Sequence, residues 1–131
     1  MQELSTPQLM RYSRHIMLKG MDIEGQEKLW NSKVLIIGLG GLGCAVAQYL
    51  TASGIGEMTL VDDDTVDITN LQRQILHHEA NVGVNKCISA KTALTAINSE
   101  ITINVIEQRL TGERLAKLIS EHDVVIDCCD N

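Results

Sequence analysis

The stretch KVLIIGLGGLGCAVAQYL, Lys33 to Leu50, constrains this chain more than any other. A short β-branched apolar run ends at a glycine, and Gly38, Gly40 and Gly43 then follow the spacing G-x-G-x-x-G. Such a run, bounded by glycine, reads as a buried strand, and the small residues after it as a helix lying close on that strand. The three glycines serve a tight turn, a close approach of backbone to a ligand, and close helix–strand packing. The helix start behind them offers unpaired N–H groups and a partial positive charge, so the loop is expected to lie beneath a phosphate. A retained dinucleotide and a consumed ATP satisfy that expectation equally.

The rest of the chain repeats the alternation. STPQLMRYSRHIML predicts a helix capped by Ser5 or Thr6, with Pro7 in its first turn. Leu9, Tyr12 and Ile16 form its apolar stripe, and Arg11 and Arg14 lie off it. One helical turn is expected around Gln26 to Trp30. After the first strand come a helix from Leu42 to Ser53 stopped by Gly54 and Gly56, and a second strand from Met58 to Val61. A long polar linker, TVDITNLQRQILHHEANVGVN, leads to a helix from Lys86 to Ile97. The strand ITINVIE, the helix TGERLAKLISEH capped by Thr111, and the strand DVVIDC complete the order. Alternating units of this length build an α/β, Rossmann-like parallel sheet with helices on both faces. Helical residues 1–32 precede the sheet domain, residues 33–131. The linker is long for an α/β connection, which marks it as a functional loop. The sequence reaches Asn131 just past the fourth strand, so one sheet face and one edge are expected to be poorly covered.

Composition narrows the function classes. The 131 residues suit one domain with a modest core, and 44% hydrophobic residues argue against disorder. Tyr12, Trp30 and Tyr49 are the only aromatics, and the formal charge is −6, which disfavours nucleic acid as a partner. No segment is apolar for the length of a membrane span, and MQELSTPQLMRY has no apolar signal core, so a cytoplasmic protein without membrane contact is expected. Cys44, Cys87, Cys128 and Cys129 are not spaced C-x-x-C, so no zinc signature is present and free thiols in a reducing compartment are expected. Cys44 falls on the helix behind the glycine loop, with no partner base beside it in the sequence.

The charged residues separate the two ligands. Asp62 ends the second strand 19 residues after Gly43, where a carboxylate can accept from ribose hydroxyls of either nucleotide. TNLQRQ then crowds Asn70, Gln72, Arg73 and Gln74 into the loop beyond it, and the Arg73 guanidinium suits phosphate oxygens. A dinucleotide's pyrophosphate is already met by the helix start; a triphosphate carries more charge and needs such a cluster. Lys86, opening the next helix, supplies a second cation. Asp130 follows the fourth strand at the sheet's carboxyl edge, where a carboxylate can hold Mg²⁺.

Together RYSRHIML, GLGGLGC, VDDDTVDITNLQRQIL, Lys86 and DCCDN closely resemble the ThiF/HesA/MoeB enzymes, relatives of the ubiquitin-activating enzymes, from about Leu4 to Asn131. The resemblance implies a sulfur-carrier adenylyltransferase of molybdopterin or thiamine biosynthesis. ATP would be attacked at its α-phosphate by the C-terminal glycine carboxylate of a small ubiquitin-fold carrier, releasing pyrophosphate. By motif match Gly38, Gly40, Gly41 and Gly43 would line the ATP, with Asp62 on the ribose and Asp64 beside it. Thr69, Asn70, Leu71, Gln72, Arg73 and Lys86 would surround the phosphates, with Asp130 on magnesium and Asn131 next to it. Arg14 would reach the phosphates of a neighbouring subunit, which implies a homodimer; Arg14, Arg73, Lys86 and Asp130 would be the catalytic set. The family's zinc-binding cysteine pairs, its sulfur-transfer cysteine, the groove for the carrier tail and much of the dimer surface would follow Asn131. Cys129, Asn85 and Ser99 depart from the family's usual threonine, proline and proline. A dinucleotide-dependent oxidoreductase domain, or a non-catalytic nucleotide-binding or dimerisation module, is the alternative.

Overall fold

The computed structural model describes residues 2–129. Four strands form one sheet: β1 (Lys33–Ile37), β2 (Glu57–Val61), β3 (Thr102–Ile106) and β4 (Val124–Asp127). All neighbours are parallel, in the order β3-β2-β1-β4. In register, Ile37 lies between Val61 and Asp127, so β1, β2 and β4 end together. The chain runs outward from β1 to β3 and then crosses back to β4. The order therefore reverses beside β1, and a crevice opens there at the carboxyl ends of the strands.

Helix α4 (Gly41–Ser53) links β1 to β2, α5 (Lys86–Ile97) links β2 to β3, and α6 (Gly112–Ser120) links β3 to β4. Strand periodicity assigns the faces. Val34, Ile36, Met58, Leu60 and Ile103 share one buried cluster with Cys44 and Ala47 of α4 and Cys87, Ala90 and Leu94 of α5. The residues between them, such as Leu35 and Thr59, point the other way. There His122, just past α6, places its Nε2 2.8 Å from Thr59 Oγ1. Helices thus lie on both faces, as the alternation requires, but the core sits on the α4/α5 side. On the edge strand β4, Val124 is 49% and Val125 36% exposed among the described residues.

The helical segment before β1 differs from its sequence reading. The first helix is divided at Tyr12 into α1 (Thr6–Arg11) and α2 (Ser13–Ile16). Ser5 caps α1 reciprocally with Gln8, as expected of that position. The break turns Tyr12 inward, where its buried hydroxyl accepts from Asn98 Nδ2 at 2.8 Å. Asn98 also donates to the Thr51 carbonyl at 3.1 Å, tying the segment to α4 and the end of α5. The single turn expected around Gln26 is a nine-residue helix, α3 (Asp22–Trp30). Its Gln26 is fully buried and donates to the Ser53 carbonyl at 2.7 Å, a tertiary contact that local periodicity does not reveal. Thr111 does precede α6, but its side chain makes no capping bond.

Candidate functional site

A cavity of about 400 Å³ opens at the carboxyl ends of the strands. Gly38, Gly40, Asp62, Asp64 and Lys86 are among the residues that line it. Gly38 has a φ of +95°, and a Cβ there would lie 2.8 Å from the Cys128 carbonyl oxygen, so only glycine fits between β1 and the chain leaving β4. The motif match sets Gly43 at the ligand, whereas the glycine spacing assigns the third glycine to helix–strand packing; it is buried behind the loop. A Cβ on it would stand 1.9 Å from the Gly38 carbonyl oxygen, so this glycine serves helix–loop packing.

The carboxylate of Asp62 braces the loop. Its Oδ2 accepts from the Leu39 N–H at 2.7 Å and its Oδ1 from the Asp64 N–H at 2.8 Å. Lys86 is only 7% exposed, and its Nζ lies 3.9 Å from Asp64 Oδ2. An ammonium set this deep beside one solvent-facing carboxylate is a strong local positive centre aimed into the cavity. It is placed by Asn85, which caps α5 by accepting from the Cys87 N–H at 2.7 Å and donates to the Asp62 carbonyl at 3.1 Å. The departure from proline at Asn85 thus carries its own cap.

The linker between β2 and α5 folds back over the start of α4. Its 3₁₀ turn Ile68–Asn70 is closed by Asp67, which accepts from the Thr69 N–H and hydroxyl, while Asn70 Oδ1 accepts from the Asp67 N–H. Those two bonds from Thr69 hold the exposed Asp67 carboxyl below the usual range. Arg73 follows on the next turn, its Nη1 donating to the Thr69 carbonyl at 3.3 Å. Its stem lies across Gly41: a Cβ on that glycine would be 3.5 Å from Arg73 Cγ. Residues 32 apart in sequence are thereby brought together at a helix start.

Of the expected set, Gly38, Gly40, Asp62, Asp64 and Lys86 line the cavity; Gly41, Gly43 and Arg73 do not, although the Arg73 stem lies against Gly41, the neighbour of Gly40. Thr69, Asn70, Leu71 and Gln72 belong to the turn that carries Arg73 and do not line the cavity. Arg14 is exposed on α2 and is not brought to this chain's cavity. Asp130 and Asn131 lie outside the described residues.

Sequence reasoning missed the loop from Gln108 to Thr111, which forms the opposite wall with Leu115. The signal was available: every segment that follows a parallel strand emerges at this edge. It also missed His77. No base was apparent beside Cys44, yet His77 Nε2 lies 3.6 Å from its Sγ. The pair does not make a reactive thiolate, because burial pushes the Cys44 thiol up to about 11 and Cys87 to about 12.

Comparison with known proteins gives one consistent answer. Residues 12–131 match the family described as the ThiF family. Over 131 residues the chain is 54% identical to the molybdopterin-synthase adenylyltransferase of Escherichia coli (strain K12), covering all of this chain and 53% of that protein. It is 48% identical over 122 residues to the sulfur carrier protein ThiS adenylyltransferase of the same organism, covering 93% of this chain and 49% of that one. Among solved structures it resembles the E. coli tRNA N6-threonylcarbamoyladenosine dehydratase in complex with ATP, with a TM-score of 0.90 and 29% identity. That match covers 99% of this chain and 53% of the other. The chain spans about half the length of each of these two curated relatives. With the match running from Tyr12 through every strand of the sheet and the whole glycine-loop site, the chain belongs to the ThiF family.

Proposed function

We propose that this chain provides the ATP site for adenylylation of the C-terminal glycine carboxylate of a small ubiquitin-fold sulfur carrier, of the molybdopterin or thiamine branch. The observation that carries this reading is that two cationic side chains flank one glycine loop: the Arg73 stem lies against Gly41, and the buried Lys86 lines the cavity with Gly38 and Gly40. A dinucleotide, whose pyrophosphate the helix start already neutralises, has no use for both. The names of the relatives support it, since two are adenylyltransferases and the solved neighbour holds ATP.

In the proposed reaction a carboxylate oxygen of the carrier attacks the α-phosphorus. The bond from that phosphorus to the bridging oxygen breaks, and its electrons leave with pyrophosphate. No general base is required, because the carboxylate is ionised at neutral pH. Arg73 and Lys86 oppose the charge that gathers on the departing pyrophosphate, and the glycine loop and Asp62 fix the nucleotide for in-line attack. The second half of the Asp62 role, accepting from the ribose, uses the remaining lone pairs of oxygens that already brace the loop.

Mg²⁺ is part of the proposal through Asp130. The described trio Asp62, Asp63 and Asp64 brings one oxygen each within 4.8 Å, but Asp62 is engaged by two backbone N–H groups and Asp64 by Lys86. That trio is a poor fit to a dedicated ion. Arg14, exposed on α2, is proposed to complete the site of a second subunit in a homodimer. No helix among the described residues is long and apolar enough to cross a membrane.

Titration calorimetry of the chain with ATP and with NAD separates the nucleotide readings: ATP binding without NAD binding is expected, and the reverse overturns the proposal. For the reaction, ATP–pyrophosphate exchange is measured with the full-length protein and each type of carrier. Exchange dependent on a carrier is expected and should be abolished in Arg73→Ala. Exchange unchanged by that substitution removes Arg73 from the site.

A further inference from the structure

Behind the glycine loop, on the side away from the cavity, lies a buried polar chain that the reaction above does not use. His77, from the turn that follows Arg73, is 3% exposed. Its Nε2 lies 3.2 Å from the Leu39 carbonyl oxygen and its Nδ1 lies 2.8 Å from Ser89 Oγ on α5. A carbonyl can only accept, so Nε2 carries the proton and donates, and Nδ1 accepts from the Ser89 hydroxyl. Cys44 Sγ donates to the same carbonyl at 3.4 Å. On its other side, Leu39 donates its N–H to Asp62 Oδ2 at 2.7 Å. The residue between Gly38 and Gly40 is therefore clamped at both of its backbone polar atoms. Through Ser89 the clamp reaches α5, three residues along from Lys86.

We propose that His77 is a positioning residue of the nucleotide site, which holds the glycine loop in its phosphate-receiving shape and ties it to the helix that carries Lys86. The proposal rests on the ATP reading above. Its chemistry calls for a donor and an acceptor at fixed separation in one rigid buried ring, and a neutral imidazole supplies both. Burial holds the His77 pKa below that of a free imidazole, which keeps it in this neutral form. A second buried side chain of the same turn lies near the adjacent loop residue. Gln74 is also 3% exposed, and a Cβ on Gly40 would be 3.7 Å from its Nε2. Its buried Oε1 has no hydrogen-bond partner among the described residues. A buried orphan acceptor is rare in folded proteins.

Two substitutions separate positioning from packing. His77→Gln places an amide N–H where Nε2–H donates to Leu39, whereas His77→Asn places its amide near Nδ1 and leaves the Leu39 carbonyl short of that donor. Melting temperatures establish that each variant is folded, and ATP affinity is read by calorimetry. Since one lost buried hydrogen bond is enough to loosen the loop, His77→Asn should weaken ATP binding about tenfold or more and His77→Gln by no more than about threefold. Wild-type affinity in folded His77→Asn overturns the proposal, and so does an equal loss in both variants, which would mean packing alone. Amide hydrogen exchange at Leu39, whose N–H is held by Asp62, measured without ATP, should quicken in His77→Asn and less in His77→Gln, which keeps the donor to the Leu39 carbonyl but gives up the bond from Ser89. Should the wild-type chain bind no ATP, the nucleotide reading fails; unchanged exchange in His77→Asn overturns the clamp itself. If His77→Asn does not fold, Ser89→Ala keeps the ring but frees Nδ1. It should quicken exchange at Leu39 about as much as His77→Gln does, and unchanged exchange there also overturns the clamp.

Discussion

Two glycines two residues apart should respond in opposite ways to the same added methyl group. At Gly43 a Cβ would stand 1.9 Å from the Gly38 carbonyl oxygen and 2.9 Å from its carbon, both backbone atoms in the loop that the helix crosses. Ordinary contact begins at about 3.4 Å, so loop and helix must separate by about 1.5 Å. Neither can yield cheaply: Gly38 is pinned by its N–H to the Val61 carbonyl at 2.9 Å, and Leu39 by Asp62. Overpacking of this kind costs about 3 kcal/mol, and the better helix propensity of alanine returns at most about 1 kcal/mol. The net loss of about 2 kcal/mol corresponds to a fall in melting temperature of roughly 5–10 °C for a domain of this size. At Gly41 a Cβ would meet only Arg73 Cγ, at 3.5 Å, an ordinary contact with a side chain. Gly41→Ala should therefore melt at or slightly above the wild type, while weakening ATP binding because the methyl group faces Arg73 and the proposed phosphates. Thermal unfolding followed by circular dichroism checks both. A Gly43→Ala protein as stable as the wild type would refute the packing argument and with it the assignment of the third glycine to structure.

Other consequences are simpler to measure. Asn85→Ala removes the cap of α5 and the bond to the Asp62 carbonyl, and should cost about 1–2 kcal/mol in urea unfolding. Cys44 and Cys87, buried and with thiols pushed up to about 11 and about 12, should resist iodoacetamide at pH 8 in the native state. The exposed Cys129 should be the first to be alkylated, as read by peptide mass spectrometry. The pKa of His77 is lowered chiefly by burial, with Lys86 and His78 also disfavouring its charge and the Leu39 carbonyl and Asp62 favouring it. Above the free imidazole value, neither state binds the proton and His77 contributes no pH dependence. As pH falls below 6.5 the unfolded chain binds the proton first, so stability should decline until the lower folded pKa is reached. Urea midpoints at pH 7 and 5.5 should show that decline in the wild type and less of it in His77→Gln. Asp67, whose carboxyl is held below its usual range, titrates outside this window.

The order of strands and helices was legible because each element carries its own signal over consecutive residues. Lys86–Ile97 was bounded to the residue, since Asn85 and the polar linker mark its start and Asn98 its end. Tyr12 and Gln26 were misjudged for the opposite reason. The break at Tyr12 and the full length of α3 are stabilised by Asn98, Thr51 and Ser53, partners distant in sequence that leave no local trace. At the site, Gly38, Asp62, Arg73 and Lys86 could be selected by residue type and by their place after strand ends. For Gly43 the spacing pointed to helix–strand packing and the motif match to the ligand, and the Gly38 carbonyl against its Cβ position sides with the spacing.

The amino-acid sequence alone determined the parallel α/β architecture, the glycine loop, the cations that favour a triphosphate over a dinucleotide, and the resemblance to a family. These rest on periodicity, residue chemistry and short motifs, which survive as one-dimensional information. Only the tertiary structure decided which of those residues meet: that Arg73 lies on Gly41, that Asp62 braces Leu39, and that His77 reaches the loop from behind. Those pairings follow from the order β3-β2-β1-β4, which carries separate loops to one edge of one sheet. Distances of a few ångströms between residues tens of positions apart are set by how strands pair and helices cross, and no local pattern encodes them.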